Sequence, residues 1–227
     1  MKFHSNMYGW EYVWRDFADT KGGQVVSDTS KENDPIICMH IPVEGTNTHV
    51  TITPFAVKGK AKAEGTSASL HYAPKEHFAF AIRTEKGIHQ IGKAVGKLQD
   101  IQLGDQQFDH KYLIQGTDDG KVRNLFSDMK LRDLILQNNL TELHLHSSSD
   151  DLPAEHKIPP GKHSVVYSHD QKLDKFDQLE ALFDILTSVV HRIGAIPALA
   201  PDYVAEEAHE EEVGTSKRLH SPLLDMA

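Results

Sequence analysis

One cysteine, Cys38, stands among 227 residues. No disulfide can close within the chain and no cysteine cluster can hold zinc, which fits a reducing compartment. Aromatic side chains are also scarce, at 7%, so the core has to be built mainly from aliphatic ones. No apolar stretch approaches the roughly 20 residues of a membrane-crossing helix, so membrane insertion is not expected. Residues 1–6 place no apolar segment behind their lysine, and no secretory signal is expected there. Basic residues are outnumbered 24 to 33; the net charge of −9 makes nucleic acid and anionic membranes poor partners. These absences point to a soluble, cytoplasmic protein.

What is present supports a folded core, with 39% hydrophobic and 25% charged residues. Trp10, Val13, Trp14 and Phe17 recur at helical spacing and predict a helix over 8–19, stopped by Gly22 and Gly23. Strand-like runs follow at 24–27, 35–41, 49–57, 68–72 and 77–83. Glu44-Gly45 and Glu64-Gly65 read as turns between them, which predicts an antiparallel meander. A strand over 108–115 is expected next, then a helical stretch from Asp119 whose phase slips near Ser127-Asp128. That slip predicts a break, with Ser127 capping a second helix. Strands at 141–147 and 163–168 flank a proline-containing loop. The most regular element is a helix over 173–193, where Leu173, Phe176, Leu179, Phe183, Leu186, Val190 and Ile193 fall three or four apart. Such a stripe is expected to cover a sheet. The segments 108–136 and 163–193 share the order strand, polar turn, helix. Residues 197–227 hold seven acids against two bases and read as a flexible, disordered acidic tail.

Several places have the residue types that carry chemistry. Residues 87–94 have the glycine and lysine spacing of a phosphate loop, but Ala94 supplies no hydroxyl for magnesium and Gly96 interrupts the helix that should follow. Glu142, His144 and His146 alternate along one strand, so their side chains share a face and form a candidate divalent-metal set. The bland alternative puts Leu143 and Leu145 inward and leaves the histidines in water. Asp100, Asp105 and Asp109 surround Gly104 and read as turn formers rather than a calcium loop. Cys38 has no neighbouring cation in sequence and reads as an inert thiol. Between Lys58 and Lys97, eight bases meet three acids, a local net of +5 that suggests a basic sheet face.

Residues 96–109, Gly-Lys-Leu-Gln-Asp-Ile-Gln-Leu-Gly-Asp-Gln-Gln-Phe-Asp, carry an Asp-Ile, Gly-Asp, Phe-Asp pattern. The continuation holds Tyr112, Gly116 and Asp118, then Val122, Arg123, Leu125 and Phe126, then Leu131, Arg132 and Asp133. Over 14–137 this resembles a family of uncharacterised bacterial soluble proteins. The resemblance implies a strand, a Gly-x-Asp turn and a helix, and it brings no activity, substrate or cofactor. The arginine and aspartate positions of the motif read as turn and cap sites.

The expected architecture is therefore α+β: one domain over 1–196, an antiparallel β-sheet packed on one face by helices, a long C-terminal helix, and the acidic tail at 197–227. The expected function is a non-catalytic binding or protein-interaction domain for a protein or small-molecule partner, with no cofactor. The rivals are a metal-dependent enzyme built on Glu142, His144 and His146, and a polyanion binder using 58–97.

Overall fold

A computed structural model describes residues 9–28, 36–56, 64–75, 78–84, 99–147 and 157–194. Helix α1 (Trp10–Thr20) leads into strands β1 (Gln24–Asp28), β2 (Ile36–Pro42), β3 (His49–Ala56) and β4 (Glu64–Tyr72). Strands β5 (Phe80–Thr84) and β6 (Gln99–Ile101) precede α2 (Gln106–Lys111), β7 (Tyr112–Gly116), α3 (Asp119–Leu125) and α4 (Met129–Gln137). Strands β8 (Glu142–His146) and β9 (His163–His169) and the long helix α5 (Phe176–Arg192) complete the described chain. The strands form one sheet in the order β1-β2-β3-β4-β9-β8-β5-β7-β6. All its described pairings are antiparallel. The protein is thus α+β, and β1 to β4 form the first four strands of the predicted meander. The fifth expected strand, 77–83, is not next to β4, which pairs with β9; as β5 it lies between β8 and β7.

Alternation sorts the strand residues into two faces. Val50 and Ile52 of β3, Ala68 and Leu70 of β4, Val165 and Tyr167 of β9, and Leu143 and Leu145 of β8 point to one side. They join a single apolar core with Val13, Trp14 and Phe17 of α1 and Leu179, Leu182, Leu186 and Val190 of α5. The stripe read from the sequence of α5 is therefore its sheet-facing side. Leu173 lies before the helix, which starts at Phe176, yet it is a hub of the core edge. Its amide donates to Thr66 Oγ1 at 2.8 Å, and its carbonyl accepts from the Trp14 indole at 2.8 Å. Buried polar groups are thereby satisfied where three elements meet.

Three local expectations need correction. Residues 108–115 are not one strand: Asp105 caps α2 by accepting from the Gln107 and Phe108 amides, and the strand begins at Tyr112. A helical turn is favoured because it puts Phe108 into the core while its cap satisfies the first free amides. The break near residue 127 is real, but Asp128 is the cap, accepting from the Lys130 amide at 2.9 Å, while the Ser127 hydroxyl donates to Asn124 O. Gly65 is inside β4 rather than in a turn. A Cβ there would sit 2.4 Å from the Phe55 ring and 2.7 Å from His169 O, so the strand needs a glycine at that point. Gly45, by contrast, is a turn residue at φ 68°. The phosphate-loop segment 87–94 and the tail 197–227 lie outside the described residues.

Candidate functional site

The other face of the sheet is mainly polar, although Ala81 and Val166, the two register partners of His144, are buried apolar residues on it. Thr51 and Thr53 of β3, Ser67 and Ser69 of β4, Ser164 of β9, and Glu142 and His144 of β8 alternate with the core positions, and all are buried. The buried core positions on α1 to α5 all belong to the opposite side. Glu142, His144 and His146 share this polar face, as their spacing requires, with Leu143 and Leu145 in the core. The bland expectation of water-facing histidines fails for His144, which is 9% exposed, and Glu142 is 7% exposed. Strand β8 is central in the sheet, between β9 and β5.

Within this row, His144 Nε2 stands 3.3 Å from Glu142 Oε2. The approach is close but lacks hydrogen-bond alignment, since Nε2 has no partner of adequate geometry. The His144 and His146 rings stack with centroids 5.4 Å apart and planes at 27°. Burial, reinforced by His144, pushes the His146 pKa down to about 4, so that ring is neutral at pH 7. Arg83 is the register partner of Glu142, yet its guanidinium donates to Gln115 Oε1 at 3.0 Å. Glu142 Oε1 and Arg83 Nε are buried without partners. Among the described residues, no three His, Cys, Asp or Glu side chains converge closely enough to hold a metal ion. Across the sheet, His40 Nδ1 lies 3.2 Å from Thr51 Oγ1, and burial followed by the charge of His49 lowers the His40 pKa.

The remaining sequence candidates separate. Asp109 accepts from the amides of Leu103 and Gly104 at 2.9 and 2.8 Å, and Asp100 accepts from Gln115 Nε2 at 2.6 Å. Asp105, besides its cap, accepts from Arg132 Nε at 3.0 Å. Its pKa is lowered by the Phe108 amide first, with Arg132 helping. Each aspartate therefore has its own structural task. Cys38 is half-buried on β2. Of the eight bases between Lys58 and Lys97, only Lys75 and Arg83 fall within the described residues.

A cleft of about 770 Å³ lies elsewhere, at the end of the sheet where α5 begins. The ends of α2, α4, β5 and β9 meet there. Lys111 Nζ donates to Leu136 O at 2.8 Å and Asn139 Oδ1 at 2.7 Å, and burial lowers its pKa. Asn139 sits at φ 47°, a left-handed conformation that asparagine tolerates. His169 is 8% exposed. Its Nδ1 accepts from the Gln171 amide at 3.1 Å, which places the proton on Nε2, and burial lowers its pKa. Thr141 Oγ1 accepts from the Asp170 amide at 3.1 Å. The cleft thus has a fixed wall of amides, hydroxyls and a neutral imidazole, with Lys175, Asp170 and Asp177 bringing both signs of charge. Sequence reasoning missed it because no two of these segments are joined by a motif.

No family model matches the chain, and no curated protein matches it in sequence. A crystal structure of the mycobacterial trehalose monomycolate transport factor A, TtfA, is similar in fold, with a TM-score of 0.52 at 8% identity. The match covers 85% of this chain and 98% of that one. At that identity the likeness is one of fold.

Proposed function

We propose that the protein is a non-catalytic binding domain and that the cleft at the start of α5 takes a small polyhydroxylated molecule. The observation that carries this reading is the lining. Gln137, Asn138, Asn139 and Gln171 are amides, which donate and accept at once, as a sugar hydroxyl does. Charges of both signs balance there, so the cleft does not select a strongly ionic ligand. Its size suits a ligand of one or two rings. The fold neighbour is described as a transport factor and not as an enzyme, which supports binding without naming a ligand for this chain.

The test is a thermal-shift and calorimetric screen of monosaccharides and disaccharides against the full chain. A ligand that binds the folded state raises the melting temperature with concentration. Gln171→Ala and Lys175→Ala, both at exposed positions of the cleft, are expected to abolish that rise and keep the unliganded melting temperature. A screen without any binder, or binding unaffected by both changes, rejects the cleft as the site.

A further inference from the structure

The opposite end of α5 borders a second cavity, of about 350 Å³. Its walls come from Tyr72 at the end of β4, Lys75 just beyond it, Phe78 ahead of β5, Lys121 on α3 and Arg192 at the end of α5. Among the described residues that line it, three are cations, two are aromatic and none is a carboxylate. Acids do stand behind the wall. Lys121 Nζ is 3.8 Å from Asp118, and Arg192 is 3.2 Å from Asp128. Arg192 also donates to the carbonyls of Leu125 and Asn124 at 2.8 and 2.9 Å, which cancels the partial negative charge at the end of α3. Those pairings leave a cationic excess centred on Lys75, an exposed residue. Lys121 Nζ lies 5.9 Å from the centre of the Phe78 ring, so charge and aromatic surface adjoin.

We propose that this cavity binds an aromatic carboxylate, with the carboxylate toward Lys75 and Lys121 and the ring against Phe78 and Tyr72. Cations alone would serve any anion. The adjoining rings select a flat apolar body, through burial of its surface and offset or edge contacts. The volume limits that body to one or two rings. This site is separate from the cleft at the start of α5 and stands without it.

The experiment titrates benzoate into the isotope-labelled full chain and follows amide shifts by NMR. Inorganic phosphate serves as the anion without a ring, and benzyl alcohol as the ring without a charge. Benzoate is expected to shift the amides around Lys75, Phe78 and Lys121 saturably, more tightly than either control, and less tightly as salt rises. Lys75→Glu and Phe78→Leu should each weaken benzoate about tenfold or more. The same charge change at exposed Lys130, outside the cavity, should leave it unaltered. Absence of saturable shifts overturns the proposal, as does equal affinity in Lys75→Glu. Phosphate binding as tightly as benzoate also overturns it, because the rings would then contribute nothing.

Discussion

His146 shows how a single side chain on the polar face couples the fold to pH. In the folded chain it binds a proton only near pH 4, because burial and His144 oppose the charge. An unfolded chain protonates the same ring near 6.5. Stability is therefore complete above about pH 6.5 and falls as the pH drops toward 4, with a cost from this one residue of about 2 kcal/mol at pH 5. His40, His71 and His169, also lowered chiefly by burial, act in the same direction. His146→Gln should leave the protein less acid-sensitive than wild type by roughly that amount, read from urea unfolding at pH 7 and pH 5. An identical loss of stability in both proteins would show that the ring is not held neutral by the fold. The row Glu142, His144, His146 was legible as a shared face because a strand alternates. Its burial was not, since that depends on the tertiary surroundings of β8 rather than on its own sequence.

At the scale of elements, short helices are held by their ends and the long one by its side. Asp105, Asp118 and Asp128 cap α2, α3 and α4, and Arg132 and Arg192 connect the caps Asp105 and Asp128 to the surrounding chain. Of the motif positions read from sequence as turn and cap sites, Asp105 and Asp118 cap helices and Asp109 holds the turn amides of Leu103 and Gly104, whereas Asp100 accepts from the Gln115 side chain and Arg123 pairs with Asp119. Ser127 and Asp128 show where local reading stops. Both residue types cap helices well, and the choice goes to the aspartate, whose carboxylate also meets Arg192 from a position 64 residues away. Helix α5 needs no such help, since Leu179, Leu182, Ile185, Leu186, Val189 and Val190 are all 0% exposed. Leu186→Asp would bury a carboxylate among them at a cost of several kcal/mol. The expected result is loss of the cooperative thermal transition; a soluble variant with unchanged melting would mean that this face does not cover the sheet.

For the whole molecule, the decisive joint is the pairing of β4 with β9. It attaches the meander β1–β4 to the rest of the sheet, and Ser67 and Thr66 tie it to residues 100 and 107 positions away. Gly65 lies on this joint, packed beneath Phe55 and beside the carbonyl of His169. Gly65→Ala should lower stability by about 2 kcal/mol, because the carbonyl is backbone and cannot turn aside as a side chain would. The measurement is the urea midpoint. A midpoint equal to wild type would show that the joint has slack. Because His169 also lines the cleft, the same variant should bind cleft ligands more weakly.

Periodicity and cap chemistry are properties of neighbouring residues, so the helices α1 and α5, the meander and the strand character of β8 and β9 could be read directly from the chain. The inward leucines and the shared row of Glu142, His144 and His146 belong to the same class of information. Strand order beyond β4, the burial of that row and both cavities depend on segments far apart in sequence. Their positions follow from packing one apolar face of the sheet against all five described helices. Chain order carries no trace of which polar ends that packing will bring together, and both proposed binding sites are made of such ends.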